Sequence, residues 1–200
     1  MWNYEKRLEY PIKIKQNNPE LAKVIITQYG GPNGELGASM RYLSQRFAMP
    51  YKEVCGVLTD IGTEELAHLE MVSTIVHQLT SNLTPEQIVA GGFDQYYVDH
   101  TTGVWPQAAS GEPFSASMFQ SVGDPITDLS EDLAAEQKAR TTYDNLLRLI
   151  KDPHVRDPIA FLRQREIVHF QRFGEALRLV QERLDSKNFY AFNPAFDCKP

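Results

Sequence analysis

The chain has 200 residues and a mass of 22.8 kDa, which is enough for one well-buried core, so we expect a single domain over residues 1–200. Its net charge of −6 excludes the basic surface that nucleic-acid binding requires. Cys55 and Cys198 are too few for a disulfide framework or an iron–sulfur cluster, and we interpret both as inert thiols. The absence of a signal-peptide core and of an 18-residue apolar run predicts an intracellular protein without a membrane segment.

The first part of the chain predicts two helices. Residues 18–20, Asn-Pro-Glu, are a typical helix start, and Gly30-Gly31 is a typical stop, which together predict an extra short N-terminal helix. Asn33 is then expected to cap a second helix, which carries Glu35 on one face and ends before Pro50.

The third helix has the clearest pattern, because its apolar residues between positions 54 and 79 recur at alternating spacings of four and three. Glu65 and His68 occupy two inward positions of this apolar seam. Residues 84–90 predict one or two further helical turns. Residues 91–124 predict a long loop, rich in Gly, Ser, Pro and aromatic residues.

The second half predicts two long helices. One starts after Pro125, runs to Ile150 and carries Glu136 on its apolar side. The other is expected to begin at Asp157-Pro158, and its apolar seam contains Glu166 and His169.

The inward polar residues form a repeat. Glu35 and the Glu-x-x-His pair at 65 and 68 return 101 positions later, and about 0.4 Glu-x-x-His pairs would occur by chance. A Glu on one helix and a Glu-x-x-His on the next, present twice, is the ligand scheme of dinuclear four-helix bundles. The repeated set consists of Glu35, Glu65 and His68, followed by Glu136, Glu166 and His169.

This repeat predicts a metal pair. A Glu and a His three residues apart share one helix face, so both can reach one ion. Four carboxylates in apolar seams cannot stay ionised without compensation, and two divalent cations would supply it. The metal-free alternative requires neutral carboxylic acids, each with a hydrogen-bond partner. A lone Glu-x-x-His is more often a surface pair, but two such pairs in register favour the metal site.

We therefore predict an all-α fold, a ferritin-like four-helix bundle at about residues 33–186. The long loop would be the crossover between the second and third main helices of the bundle. The N-terminal segment and the tail from residue 188 would lie outside the bundle. The tail is either an arm that contacts its own or a neighbouring subunit, or a disordered segment.

Tyr42 also follows the repeat and returns as Tyr143. Each phenol could donate a hydrogen bond to a ligating carboxylate, and a plain core role is the alternative. Three other histidines are not predicted ligands: His77 lies on the opposite helix face, and His100 and His154 fall in loops or turns.

Two acidic residues on the third helix, Glu64 and Glu70, fall outside its apolar seam, and we expect both to face solvent.

The ligand types leave the function open. Carboxylate and imidazole without thiolate favour iron or manganese. Spacing alone is compatible with peroxide disproportionation at a dimanganese site, with oxygen chemistry and iron storage at a di-iron site, or with a coat or scaffold protein that keeps a metal site for stability.

Three segments resemble the non-haem manganese catalases: GELGASMRYLSQRF from residue 34, LTDIGTEELAHLEM from residue 58 and REIVHFQRFGEAL from residue 165. The beginning, MWNYEKRLEYPIKIK, and the short length are similar to the spore-coat branch of that family. The resemblance implies two manganese ions, no haem, hydrogen peroxide as the substrate, a homo-oligomer such as the family's hexamer, and a place in the spore coat beside other coat proteins.

The resemblance also implies a role for each residue. Glu35 and His68 would bind one manganese ion, Glu136 and His169 the other, and Glu65 would bridge both. Glu166 would handle the protons of peroxide without binding metal. Apart from the resemblance, Tyr42 is our candidate for a group that hydrogen-bonds a ligand and so supports the catalytic site. The implied reaction converts two hydrogen peroxide molecules to water and dioxygen while the pair cycles between Mn(II)/Mn(II) and Mn(III)/Mn(III).

The sequence departs from the family at two sites. Some members have Arg where this chain has Ala135, so we expect wider access to the metals. Larger members bind calcium through two Asp residues; here Asp60 remains but its partner position is Gly56, so calcium is not predicted. The main alternative is a bacterioferritin-like di-iron ferroxidase, and a structural coat protein with a vestigial metal site is another.

Overall fold

The computed structural model describes residues 4–97 and 103–184, and these residues form helices and two isolated β-bridges, with no strand among them. The predicted all-α class is confirmed. The α-helices are α1 (Pro19–Ile25), α2 (Thr27–Gly30), α3 (Glu35–Gln45), α4 (Lys52–Thr80), α5 (Pro85–Ala90), α6 (Pro125–Leu149) and α7 (Pro153–Arg183). Short 3-10 helices cover Arg46–Ala48, Asp94–Tyr96 and Ala116–Phe119. Within the described ranges, no helix is both long and apolar enough to cross a membrane.

The core of the bundle is divided into two apolar clusters. One contains Ile75 of α4 and Leu162 of α7, and the other contains Leu58 of α4 and Phe173 of α7. On both helices the predicted ligands lie between the two clusters, so a buried polar belt separates two apolar halves. The apolar clusters on either side keep bulk water away from this belt.

Helices α1 and α2 lie along the C-terminal half of α4. The amide of Asn18 donates to the carbonyl of Leu79 over 2.8 Å, and Ile25 is fully buried in the same cluster as Leu79. The helical segment ends at Gly30, before α3 begins. The crossover passes very close to the backbone of Gly30: a Cβ there would lie 2.3 Å from the amide nitrogen of Gln107, so the position requires glycine. The break makes Glu35 the first residue of α3.

The crossover between α5 and α6 is fixed by two buried polar side chains. Arg41 of α3 donates to the carbonyls of residues 118 and 119 over 2.9 and 2.8 Å. Asp128 of α6 accepts from the amides of residues 122 and 123 over 2.9 and 3.0 Å. These bonds satisfy backbone groups that a long loop would otherwise leave without partners.

The N-terminal segment runs along the outside of α4. Gln78 accepts from the amide of Ile14 over 2.8 Å and donates to the carbonyl of Ile12 over 3.2 Å. Tyr4 donates to Glu70 over 2.5 Å, so Glu70 has a partner at the protein surface. This segment also brings Glu9 beside α4, close to the polar belt.

Two predicted helix starts are wrong. The residue that precedes α3 as its N-cap is Gly34, not Asn33, and it makes no side-chain capping bond. Helix α7 begins at Pro153, five residues before Pro158, because Asp152 caps it by accepting from the amide of His154 over 2.9 Å. Both prolines follow an Asp, so the sequence offers two equivalent start signals, and the second lies inside the helix.

Candidate metal centre

The six repeated residues meet in the polar belt. Each of the four bundle elements supplies at least one: Glu35 from the start of α3, Glu65 and His68 from α4, Glu136 from α6, and Glu166 and His169 from α7. All six side chains are buried, with at most 2% of each residue exposed. The structure therefore brings together every residue that the repeat selected.

Glu65 lies between the two imidazoles. Its Oε2 is 2.8 Å from Nδ1 of His68, and its Oε1 is 2.7 Å from Nδ1 of His169. The two rings are stacked at 5.5 Å between centroids, with 24° between their planes. A carboxylate with one oxygen beside each of two Nδ1 atoms is placed as a bridge between two ions would be.

Glu35 and Glu136 extend the arrangement outwards. Glu35 Oε2 is 4.0 Å from Nδ1 of His68, and Glu136 Oε2 is 3.5 Å from Nδ1 of His169. Nδ1 of each histidine thus lies near Glu65 and near the lone Glu of its own half. The two lone glutamates are equivalently placed in this respect.

The two repeated tyrosines exchange partners between the halves. Tyr42 of α3 donates to Glu136 of α6, and Tyr143 of α6 donates to Glu35 of α3. Both tyrosines are fully buried. Tyr42 therefore lies where we expected it, behind a candidate ligand, and Tyr143 does the same for the other half.

Several polar atoms of the belt make no hydrogen bond of good geometry to any described residue, although buried polar atoms nearly always have a partner. They are Glu65 Oε1, Glu136 Oε2, Glu166 Oε1, His68 Nε2 and both ring nitrogens of His169. Glu65 Oε1 and His169 Nδ1 are 2.7 Å apart but are not aligned for a hydrogen bond. Candidate ligand atoms of Glu65, His68, Glu166 and His169 also lie within 4.8 Å of one another. Oxygen and nitrogen donors this close, and this poorly paired, fit divalent metal ions.

The pKa values in the belt depart from their ordinary values. Burial raises the pKa of Glu35 and of Glu166, and the charges of neighbouring carboxylates raise both further. Burial also raises the pKa of Glu65, but the two imidazoles outweigh it and lower that pKa overall. Burial lowers the pKa of His169, while the carboxylates of Glu65, Glu136 and Glu64 raise it to about 12. Protons and metal ions thus compete for the same atoms.

A small cavity of about 10 Å³ touches the carboxylate side of the belt and has room for about one water molecule. Glu136, Glu166 and Tyr42 form its inner wall, and Ala135 and Arg41 are among the other lining residues. The alanine that departs from the family pattern therefore lies directly beside the candidate site. A longer side chain at this position would occupy the cavity.

One residue of the site was missed. Glu64 was expected to face solvent, but its side chain is only 18% exposed, and its two oxygens lie 3.5 Å from Nε2 of His68 and 3.2 Å from Nε2 of His169. Arg165 of α7 holds this carboxylate at 2.5 Å. Two sequence signals could have identified it: Glu64 precedes His68 by one helical turn, and positions 64 and 165 differ by the repeat offset of 101.

The two other histidines that the structure describes lie outside the belt. His77 is exposed on α4, and His154 lies in the first turn of α7, where it contacts Asp152 over 3.0 Å. His100 lies outside the described residues, as do the tail from residue 188 and Cys198. The thiol of Cys55 donates to the carbonyl of Arg46 over 3.3 Å, as expected of an inert thiol.

A family comparison agrees with this geometry. The sequence profile of the manganese-containing catalases matches residues 1–191. The chain belongs to the manganese-containing catalase family. The resemblance of the three sequence segments is confirmed, and so is the ferritin-like helical bundle that it implies.

Relatives within the family extend over most of this chain. Protein CotJC of Bacillus subtilis is 52% identical over 190 residues, which cover 95% of this chain and 100% of that protein. A probable manganese catalase of Clostridium acetobutylicum is 37% identical, over 94% of this chain and 85% of its own length. The crystal structure of KatB, a manganese catalase from Anabaena, superposes with a TM-score of 0.81 and 31% identity, over 93% of this chain and 84% of that one.

Proposed function

We propose that this protein is a dimanganese catalase that converts two hydrogen peroxide molecules to two water molecules and dioxygen. The observation that carries the proposal is the buried belt of four carboxylates and two imidazoles with unpaired donor atoms. Family membership supports manganese as the metal and peroxide as the substrate. When bound, a manganese pair supplies two-electron redox chemistry, so that peroxide need not release radicals.

The metal ligands in this proposal are five of the six residues. Glu35 and His68 would hold one ion, Glu136 and His169 would hold the other, and Glu65 would reach both. The distances from Glu65 to both Nδ1 atoms support the bridging role. Tyr42 and Tyr143 each donate to a terminal carboxylate, which fixes that carboxylate in one orientation.

Glu166 is the proton carrier in this proposal. Its carboxyl group is buried, has one oxygen without a partner, and lines the small cavity beside Glu136. Burial and neighbouring carboxylates raise its pKa, which favours a carboxyl group that can take up a proton and return it. Peroxide that reached the belt from this side would meet the Glu166 carboxyl group.

The test is oxygen release from hydrogen peroxide by protein produced with manganese. The parent protein should release oxygen, and Glu35→Ala and His169→Ala should not, because each loses a ligand to one ion. Circular dichroism would show that both variants keep their helices. Equal oxygen release from all three proteins would contradict the proposed function.

Elemental analysis of protein produced with both manganese and iron supplied would separate this proposal from a di-iron ferroxidase. We expect about two manganese ions per chain and little iron. Two iron ions per chain, with iron oxidation and no oxygen release, would favour the ferroxidase. A fully loaded protein that carries out neither reaction would favour a structural coat protein.

We further propose that the protein is a homo-oligomer of the spore coat, where it would meet other coat proteins. Support comes from the resemblance of its first residues to the spore-coat branch and from its 52% identity to CotJC over the whole of that protein. Light scattering would test for the hexamer. Immunolabelling of sporulating cells would test the location, and label confined to vegetative cells would contradict it.

A further inference from the structure

The outer nitrogens of both imidazoles face one carboxylate that is not among the proposed ligands. The inner nitrogen, Nδ1, of each ring is directed towards Glu65. The outer nitrogen, Nε2, lies 3.5 Å from Glu64 Oε1 in His68 and 3.2 Å from Glu64 Oε2 in His169. Glu64 therefore offers one oxygen to each ring, as Glu65 does on the inner side.

Neither Nε2 atom makes a complete hydrogen bond to Glu64 or to any other group of the described residues. Contacts of 3.2–3.5 Å are at the long end of N–H···O distances, and such bonds often tighten only when a site is complete. Glu9, from the N-terminal segment, lies 3.4 Å from Nε2 of His68 but has 31% of its side chain exposed. Glu64 is thus the carboxylate that lies near both Nε2 atoms.

Arg165 fixes Glu64 in this position. Its Nε lies 2.5 Å from Glu64 Oε1, and its second terminal nitrogen lies 3.2 Å from Oε2. A two-pronged contact between a guanidinium and a carboxylate sets orientation as well as distance. The pair also connects α4 to α7, the two helices that carry the histidines.

The repeat explains why one carboxylate serves two rings. Positions 64 and 165 are equivalent under the offset of 101, so both lie near the axis that relates the two halves. Two carboxylates there would repel each other, and two arginines would leave both rings without an acceptor. One Glu and one Arg at these two positions avoid both problems, and the single carboxylate faces both histidines.

We propose that Glu64 is a positioning residue for both histidines. It accepts a hydrogen bond from the Nε2–H group of each ring, which leaves both Nδ1 atoms unprotonated and directed at the metal pair. Partners of this kind hold a ligating histidine in one tautomer and one orientation. The inference rests on the proposed metal pair, and it makes both ions depend on a single residue that binds neither.

The test is the manganese affinity of Glu64→Gln, measured on chelator-stripped protein by titration with manganese chloride against a competing dye. The amide has the size of the carboxylate but only one acceptor oxygen, so it can serve one ring while its NH₂ group faces the other. We expect at least one ion to bind about 10–100-fold more weakly. The electron paramagnetic resonance spectrum should change from a coupled manganese pair to isolated Mn(II).

Asp60→Asn is the matched control. Asp60 and Arg172 form another ion pair between α4 and α7, at 2.6 Å, and this pair lies away from the histidines. Its loss should leave the affinity of both ions within about twofold of the parent protein, since the ion pair touches no ligand. An equal loss of affinity in this variant would overturn the proposal, because any ion pair between the two helices would then suffice.

A second variant, Arg165→Gln, keeps the carboxylate but removes its support. We expect a smaller loss of affinity in the same direction, partly restored by Arg165→Lys. If Glu64→Gln does not fold, the two Arg165 variants decide the question. The proposal is overturned if Glu64→Gln binds both ions within about twofold of the parent affinity. If that variant does not fold, the same result in Arg165→Gln overturns it. Parent protein that binds two manganese ions but releases no oxygen would contradict the catalase function alone.

Discussion

The two halves of the polar belt agree in their terminal carboxylates, tyrosines and histidines, and differ in the residues that lie beside both rings. Each half supplies a Glu, a Tyr and a His in equivalent places. On the inner side Glu65 of α4 contacts both Nδ1 atoms, and on the outer side α4 has Glu64, whereas α7 has Arg165 at the equivalent position. The terminal candidate ligands are thus duplicated, while each residue that faces both rings occurs once. A repeat can supply ligands in pairs. Two equivalent positions that meet near the axis between the halves, such as 64 and 165, have to carry different residues.

The largest expected effect comes from the residue that belongs to both halves. Glu65→Gln should lose both manganese ions, because its two oxygens lie beside both Nδ1 atoms. Glu35→Gln should lose about one ion, since Glu35 belongs to the first half only. Manganese per chain, measured by elemental analysis, checks this. Retention of one firmly bound ion in Glu65→Gln would break the comparison, because one half would then be sufficient.

The next effect is the pH dependence of metal binding in stripped protein. Burial and neighbouring carboxylates raise the pKa values of Glu35 and Glu166, and the carboxylates beside the rings raise those of both imidazoles. A group with a raised pKa keeps its proton to higher pH, and a metal ion has to displace that proton in order to bind. Manganese affinity should therefore rise with pH, by about tenfold per pH unit for each proton released. Dye competition between pH 6.5 and 8 would measure it, and a flat profile would contradict the proton competition.

The two tyrosines offer a matched test of equivalence. Tyr42→Phe and Tyr143→Phe each remove a buried hydroxyl that donates to a carboxyl group. Each should lower the free energy of unfolding of stripped protein by about 1–3 kcal/mol. Urea unfolding followed by circular dichroism would measure both. Equal losses would sharpen the comparison, and a loss in one variant only would show that the halves also differ in how their terminal carboxylates are held.

The smallest expected effect is on protein stability, and it concerns the start of α7, the helix that carries His169. Asp152→Ala should cost about 1 kcal/mol of stability, because Asp152 caps α7, whereas α3 has no side-chain cap to lose. Asp157→Ala, five residues later, should leave stability unchanged. Thermal unfolding of the two variants distinguishes them. The reverse order would place the start of α7 at Pro158 after all.

The sequence predicted the bundle and the meeting of its six inward residues, because apolar spacing fixes which face of each helix is buried. It did not predict Glu64, because an acidic residue beside an apolar seam usually faces water. Glu64 is half-buried only because α4 and α7 approach each other at that level, which is a property of the assembled bundle. The sequence also did not predict which carboxylate each tyrosine would contact, because that depends on how α3 packs against α6.

The exchange of tyrosines has a consequence for how the centre assembles. Glu35 is held by a phenol from α6, and Glu136 by a phenol from α3, so each half completes the other. A fragment that contained only α1–α4 would carry two carboxylates and one imidazole but would lack the hydroxyl that orients Glu35. We therefore expect metal loading to be linked to the packing of the α3–α4 hairpin against the α6–α7 hairpin. Removal of the ions should loosen the contact between these two hairpins before any helix unwinds.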